Sequence, residues 1–182
     1  MRTLAITQNI TLDGRVEMLG DWFDPTDQPS DLLAEIQRQD ATCDAVLLGR
    51  RTFEDFRGYW PEQDDDSTGI TDQLNAVTKY VVSTTLTDPG WANSVVLGGD
   101  PIAEAAALKA RPGGDIVVTG SITLCHALIT AGLVDEFRLF TYPAVQGRGR
   151  GLFPEGHEFA RLDLIGELAF GNGVVGLRYR PR

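Results

Sequence analysis

Residues 45–53 read AVLLGRRTF, an apolar run that passes through a glycine into two arginines. The run is typical of a buried strand in a parallel sheet, and the glycine lets the backbone approach a ligand closely. The residues after it begin a predicted helix, whose first amides and positive dipole end favour a phosphate. Arg50 and Arg51 add forked guanidinium groups that suit a phosphate monoester. An alternative remains open, in which two surface arginines balance Glu54 and Asp55.

The same pattern of strand and helix repeats on both sides of this segment. Short β-branched runs lie at residues 4–10, 45–48, 80–83, 94–97 and 116–119, and helical patterns or loops separate most of them. After residue 133 the pattern changes to alternating strands, and Asn172-Gly173 between two of them predicts a hairpin. We therefore predict a three-layer α/β fold. It has about eight strands in a mainly parallel sheet, a C-terminal antiparallel pair, and about four helices on the two faces.

Length, composition and charge bound the class of protein. At 182 residues with 42% hydrophobic content, we expect one domain over residues 1–182. The formal net charge of −10 argues against a nucleic-acid partner. The apolar runs are shorter than the roughly 20 residues of a membrane span, and the amino terminus lacks the apolar core of a secretion signal. We expect a cytoplasmic protein with no membrane partner.

Several common catalytic sites are not supported by the sequence. The two cysteines, Cys43 and Cys125, and the two histidines, His126 and His157, form no CxxC or HExxH motif, so no metal site is predicted. Neither lysine follows a glycine at P-loop spacing, and no GxGxxG follows the first strand. Thr123 occupies the place where a nucleophile elbow needs glycine. Nucleophilic and metal-dependent chemistry are therefore poorly supported.

Polar residues also follow two further strands of the predicted sheet. Ser83 and Thr84 come where the third strand ends, and Thr119, Gly120 and Ser121 follow the fifth. Taken alone, the first pair is explained better by a plain strand-terminating turn, and a helix cap alone would explain Ser121. Open α/β sheets bind ligands at the carboxyl ends of their strands. Three such places on three strands predict one extended ligand with several phosphates, and a dinucleotide fits.

The order of the motifs resembles a known superfamily. Residues 49–56 read GRRTFEDF and YWP follows at 59–61; LDG lies at 12–14, VTGS at 118–121 and GRGRGLF at 147–153. Over nearly the whole chain this resembles the dihydrofolate-reductase-like superfamily. The nearer branch is the C-terminal reductase domain of the riboflavin-biosynthesis deaminase/reductase, RibD. The resemblance implies a mainly parallel eight-stranded sheet, NADPH as hydride donor and commonly a homodimer. The deaminase domain and its zinc-ligand motif are missing from this sequence.

The resemblance assigns the cofactor to residues at the three strand ends. Gly49, Arg50, Arg51 and Thr52 would meet the phosphates of NADPH. Ser83 and Thr84 would lie near the adenosine 2′-phosphate, with one of the arginines as its charge partner. Thr119, Gly120 and Ser121 would hold the pyrophosphate and the nicotinamide side.

The substrate is expected over the nicotinamide, between the loop of residues 13–24 and the first helix. Dihydrofolate reductases use a carboxylate on the first helix to bind and help protonate the pterin, and Asp31 stands near that position. Asp13 is the second candidate for a catalytic carboxylate, although Asp-Gly also makes a simple turn. Trp22, Tyr59 and Trp60 would wall or cover the pocket, with core packing as the alternative for each.

Hydride transfer needs few reactive side chains, because the cofactor carries the chemistry. We therefore predict an NADPH-dependent reductase of a pterin- or pyrimidine-like small molecule. The best-known reaction of this branch reduces the ribosyl group of 5-amino-6-(5-phosphoribosylamino)uracil in riboflavin biosynthesis. A phosphorylated substrate would need basic residues in the substrate half, where Arg57, Arg148 and Arg150 are the candidates. Solvent exposure or a dimer contact is the favoured explanation of these arginines, so the substrate is expected to be uncharged or to lack phosphate. Two alternatives stay open: dihydrofolate reduction, and a non-catalytic NADP-binding protein.

Overall fold

The computed structural model describes residues 1–24, 28–159 and 161–182. Strands and helices alternate along this part of the chain, and a 3₁₀ turn at Trp60–Glu62 follows the second helix. The elements are β1 Leu4–Thr11, α1 Ser30–Asp40, β2 Cys43–Gly49, α2 Arg50–Arg57, α3 Ile70–Ala76, β3 Thr78–Val82, β4 Ser94–Leu97, α4 Pro101–Ala110, β5 Asp115–Val118, α5 Ile122–Thr130, β6 Glu136–Tyr142, β7 Leu162–Ala169 and β8 Val175–Pro181.

The eight strands form one sheet in the order β4-β3-β2-β5-β1-β6-β8-β7. All neighbours from β4 to β6 run parallel, whereas β8 is antiparallel to both β6 and β7. The β7–β8 hairpin closes through a hydrogen bond from the Phe170 amide to the Val174 carbonyl. The predicted mainly parallel sheet with a C-terminal antiparallel pair is confirmed.

Helices cover both faces of the sheet, because successive strand residues point to opposite sides. On β2, Leu47 packs into the cluster that contains α4 and α5, whereas Val46 and Leu48 pack into the cluster of α2 and α3. Leu32 of α1 packs on the same face as α2 and α3, against Phe140 of β6. The result is the predicted three-layer arrangement.

The helix count in the prediction was wrong, because the described residues contain five α-helices instead of four. The missed helix is α3, which directly follows the polar run of residues 62–69. Asp66 in that run accepts hydrogen bonds from the amides of Thr68 and Thr71. Partial burial raises the pKa of Asp66, but the hydrogen bonds from Thr68 and Thr71 outweigh it and lower the pKa to about 2. The polar run therefore also holds the start of a helix.

Candidate functional site

The ends of β3, β2 and β5 lie side by side at one edge of the sheet. Gly49 at the end of β2 is in register with Val82, the residue before Ser83. β5 pairs with the other side of β2, with Val46 opposite Val117. Neighbouring strands are about 4.8 Å apart, so the three predicted cofactor segments share a single edge.

The turns after β2 and β5 are packed directly against each other. A methyl group added to Gly49 would lie 2.2 Å from Oγ of Ser121, and one added to Gly120 would lie 2.8 Å from Cγ2 of Thr52. Gly120 has φ of +138° and Ser121 has φ of +62°, and the second value is uncommon for a residue other than glycine. The two turns therefore meet so closely that glycine is required at both contact points.

Neither helix that starts in these turns is capped by a side chain. Gly49 precedes α2 and Ser121 precedes α5, and neither position makes a side-chain capping hydrogen bond. The interpretation of Ser121 as a helix cap is therefore wrong, since its left-handed backbone does not bring its hydroxyl onto the α5 amides. The first backbone amides of an uncapped helix carry partial positive charge and can bind an anion.

Three hydroxyl groups beside this contact, one in the first turn of α2 and two directly after β5, have no protein partner in residues 1–24, 28–159 and 161–182. They belong to Thr52, Thr119 and Ser121. Ser83 differs, because its Oγ accepts hydrogen bonds from the amides of Thr85 and Leu86 at 3.1 and 2.9 Å. Ser83 thus forms the strand-terminating turn that the sequence also allowed, while Thr84 next to it is exposed.

The two arginines of α2 differ in their partners. Nη1 of Arg50 donates to both carboxylate oxygens of Glu54, at 3.0 and 2.9 Å. Arg51 is exposed and pairs with no group in the described part of the chain. The balancing role that the sequence offered for both residues therefore holds for Arg50. An exposed ion pair on one helix contributes about 0.3–0.5 kcal/mol, so it restrains Arg50 weakly.

Asp13 joins two loops that we call the entrance loops, residues 12–24 and 144–152. Its carboxylate accepts hydrogen bonds from Oγ1 of Thr11 at 2.6 Å and from the amides of Gln146 and Gly147 at 3.1 and 2.8 Å. The hydrogen bond from Thr11, together with those two amides, holds the pKa of Asp13 well below its ordinary value. The carboxylate is therefore ionised near neutral pH and fully engaged with the loops.

Asp31 lies in the first turn of α1 and is exposed. Its Oδ2 accepts a hydrogen bond from the amide of Gly171 at 3.1 Å, in the turn of the β7–β8 hairpin. Its Oδ1 accepts from the amide of Leu32. This carboxylate thus lies at the same edge of the sheet as the end of β6, where Phe170 and Val174 of the hairpin turn pack against Tyr142.

The three predicted aromatic residues belong to two different clusters. Trp22 packs against Tyr142 with ring centroids 5.4 Å apart, in the cluster beneath α1. Tyr59 and Trp60 contact each other at 5.0 Å, and Trp60 packs on the cluster of α2 and α3. Residues 25–27, between Trp22 and α1 in the predicted substrate region, lie outside the described residues.

Gln146 is a residue of the site that the sequence analysis missed. Its Oε1 accepts hydrogen bonds from the Trp22 indole at 2.8 Å and the Leu19 amide at 3.1 Å, while its Nε2 donates to carbonyls of Glu17 and Arg148. Backbone hydrogen bonds from Leu12 to Ala144, from Val16 to Arg150 and from Leu152 to Gly14 join the same two loops. The loop sequence has no period that would have revealed this pairing.

Known sequences resemble this chain over most of its length. The sequence model of the family described as the RibD C-terminal domain matches residues 2–176. The uncharacterized protein YyaP of Bacillus subtilis (strain 168) is 31% identical over 185 residues, which cover 98% of this chain and 94% of that protein.

Solved structures resemble the fold. A Shewanella sp. PV-4 protein assigned to riboflavin biosynthesis matches with a TM-score of 0.72 at 18% identity, over 99% of each chain. A pyrimidine reductase-like protein from Corynebacterium diphtheriae matches with a TM-score of 0.68 at 18% identity, over 99% of this chain and 92% of that one. At these identities the likeness concerns the fold.

Metal-binding clusters and membrane-spanning helices are both absent from the described residues. The described part of the chain holds no cluster of three His, Cys, Asp or Glu side chains arranged for a metal ion. None of its helices is long and apolar enough to cross a membrane.

Proposed function

This chain belongs to the RibD C-terminal domain family, and from that premise we propose that it is an NADPH-dependent reductase of a pterin- or pyrimidine-like small molecule. One observation carries the proposal. The uncapped starts of α2 and α5 meet at one edge of the sheet, with unpartnered hydroxyls and Arg51 beside them. The family supports an oxidoreductase, and this edge supports a phosphate-bearing cofactor.

The residues at this edge fit the phosphates of NADPH. The first amides of α2 and α5 and the hydroxyls of Thr52, Thr119 and Ser121 supply hydrogen-bond donors for a pyrophosphate. Arg51 supplies a guanidinium for the 2′-phosphate, and Arg50 joins it by releasing Glu54. Thr84 lies exposed beside Ser83 and would line the adenosine side.

The substrate half is proposed to lie over β1 and β6, beside the cofactor half in the strand order. NADPH, when bound, supplies the hydride. The side chains then have to orient the substrate ring and exclude water, and the paired entrance loops suit that task. We assign ring binding to the exposed carboxylate of Asp31, whereas Asp13 holds the entrance loops together. Trp22 would wall the ring from the α1 side.

The test is NADPH consumption by the purified protein with three substrates: 5-amino-6-ribosylaminouracil, its 5-phosphate, and dihydrofolate. We expect turnover with an aminouracil compound. Asp31→Asn should lower kcat/KM by about tenfold or more, because a positioned carboxylate contributes on the order of 10²-fold or more when it also moves a proton. Asp55→Asn, an equal change at an exposed residue of α2, is the matched control.

The other outcomes separate the alternatives. Turnover with dihydrofolate alone would move the assignment to dihydrofolate reduction. NADPH binding without turnover of any of the three compounds would favour a binding protein and contradict the reductase proposal.

We also infer a homodimer through the C-terminal hairpin. β7 is an edge strand of the sheet, and its large apolar residues Leu164, Ile165 and Leu168 are exposed. Exposed apolar edge strands invite pairing with another chain. Light scattering of the purified protein should give a mass of two chains, and Leu168→Asp should shift it toward one. That residues 1–182 form a single domain stays a prediction.

A further inference from the structure

We infer that the substrate of this site is a neutral heterocyclic compound without a phosphate group. The inference rests on the proposed function and goes beyond it, because the reaction known for this branch takes a phosphorylated substrate. Three features of the entrance loops carry it: the partners of their arginines, their charge and their exposed apolar side chains.

Every basic side chain of the entrance loops is used to join one loop to the other. Nη1 of Arg15 donates to the Gly149 carbonyl at 2.8 Å, Nη2 of Arg148 donates to the Leu19 carbonyl at 3.0 Å, and Arg150 pairs with the carboxylate of Glu17. A substrate phosphate would therefore share or compete for these guanidinium groups with the Gly149 and Leu19 carbonyls and the Glu17 carboxylate. The entrance loops thus hold no arginine that is free of a protein partner.

The remaining candidate, Arg57, is also engaged. It donates to the Pro89 carbonyl at 2.8 Å and its guanidinium lies over the Phe53 ring, at the end of α2 away from the entrance loops. Residues 25–27 and 160 are Pro, Thr, Asp and Ala, so by sequence none of them adds a cation.

The charge around the entrance is negative. Residues 12–24 contain four acidic side chains and one basic side chain, residues 144–152 contain two arginines and no acid, and Asp31 adds an exposed carboxylate at the start of α1. A phosphate monoester carries a charge of about −1.5 to −2 near neutral pH. An acidic entrance on a chain with a net charge of −10 repels such a group.

Apolar side chains are exposed at the same place. Leu12 is 65% exposed and Val145 is 72% exposed, and the Leu12 amide donates to the carbonyl of Ala144 beside Val145. Met18 and Leu19 on the first entrance loop are exposed as well. Large apolar residues grouped at an exposed site commonly mark a ligand contact. Here they suit the face of an uncharged ring.

The cofactor half shows the opposite arrangement. Arg51 pairs with no group among the described residues and lies at an uncapped helix start. The molecule therefore leaves a guanidinium unpaired on the cofactor side, while the entrance loops use their arginines internally. This contrast indicates phosphate recognition for the cofactor and not for the substrate.

The test compares 5-amino-6-ribosylaminouracil with its 5-phosphate as substrates of the NADPH-loaded protein. We expect kcat/KM to be at least about tenfold higher for the unphosphorylated compound. Equal values, or a preference for the phosphate, would overturn the inference and leave the reductase proposal standing. If neither compound is turned over, the inference also fails, because the unphosphorylated compound is the neutral heterocycle that represents the inferred substrate in this test.

A positive charge added at the entrance loops tests whether charge sets the preference between the two compounds. Val145→Lys should shift the ratio of the two kcat/KM values toward the phosphorylated compound by about tenfold, since it adds an unpaired cation. Val145→Met, of similar reach and without charge, should leave the ratio within about twofold. An unchanged ratio in the lysine variant would contradict an entrance that discriminates by charge. Separately, a protein that fails to bind NADPH would overturn the proposed function itself.

Discussion

α4 begins after a strand at the same edge of the sheet as α2 and α5, but side chains bind the backbone amides at its start. The carboxylate of Asp100 accepts hydrogen bonds from the amides of Ile102 and Ala103, at 3.1 and 2.9 Å. Glu104 reaches back to the amide of Gly99. The helix thus satisfies its own first amides, whereas α2 and α5 have no side-chain cap. A helix start that the chain leaves uncapped is available to an anion.

The largest effect on the proposed anion site at the uncapped helix starts is expected from removal of Arg51, the unpaired arginine at the start of α2. Arg51→Ala should weaken NADPH binding by about 1.5–3 kcal/mol, the value of a hydrogen bond to a charged group. NADH binding should change by less than about threefold, because NADH has no 2′-phosphate. Isothermal titration with both cofactors measures the two effects.

Arg111→Ala is the matched control for that variant. Arg111 is exposed just beyond the end of α4, so its removal changes the net charge equally but away from the proposed site. Equal losses for NADPH in the two variants would mean that Arg51 acts through overall charge.

The close contact between the turns after β2 and β5 gives the next largest effect. Gly49→Ala should weaken both cofactors by about tenfold, or 1.4 kcal/mol, because its methyl group would displace Ser121. Gly98→Ala, between β4 and α4, is the control, since a methyl group there comes no closer than 3.9 Å to another atom. A Gly49→Ala protein with unchanged affinities would show that Ser121 and its turn do not touch the cofactor.

The capped and uncapped starts should also differ in stability. Asp100→Ala removes two hydrogen bonds and should lower the free energy of unfolding by about 1 kcal/mol. Ser121→Ala removes no capping bond and should lower it by less than about 0.5 kcal/mol. Urea denaturation followed by circular dichroism measures both values. A loss for Ser121→Ala that matches the loss for Asp100→Ala would remove the distinction between the two kinds of start.

The smallest effect concerns a helix end. Burial raises the pKa of Asp40, the last residue of α1, to about 6, although Arg138 opposes the shift. The folded state therefore binds more protons than the unfolded state between about pH 4 and pH 6, so this group contributes stability at low pH that is lost as the pH rises through 6.

Asp40→Asn should accordingly raise the free energy of unfolding by about 0.5–1 kcal/mol above pH 7 and leave it unchanged near pH 4. Asp64→Asn, at an exposed position of the polar run, is the control and should show no such dependence. A gain for Asp40→Asn that is equal at both pH values would contradict the raised pKa.

The sheet could be predicted from the sequence because its strands are continuous apolar runs and their alternation with helices requires parallel pairing. The hairpin could also be predicted, since Asn-Gly between two strands is typical of a tight hairpin turn. α3 could not be predicted, because its seven residues follow a polar run whose composition is typical of a loop. Its start depends on Asp66, and one aspartate among several carries no distinguishing pattern.

The cofactor segments could be located from the sequence, but their contacts could not. Glycine at residues 49 and 120 signals close approach, yet the partners of these glycines follow from the register of β2 against β5, which no local pattern encodes. The interaction of Asp13 with Gln146 joins residues that are 133 positions apart. Such contacts depend on the assembled sheet.

The most direct test of the shared edge is a pair of dissociation constants for the unmodified protein, one for NADPH and one for NADH. If the starts of α2 and α5 hold the pyrophosphate while Arg51 reads the 2′-phosphate, NADPH should bind at least about tenfold more tightly, a difference of about 1.4 kcal/mol. A preference below about fivefold, or no binding of either nucleotide, would contradict the account.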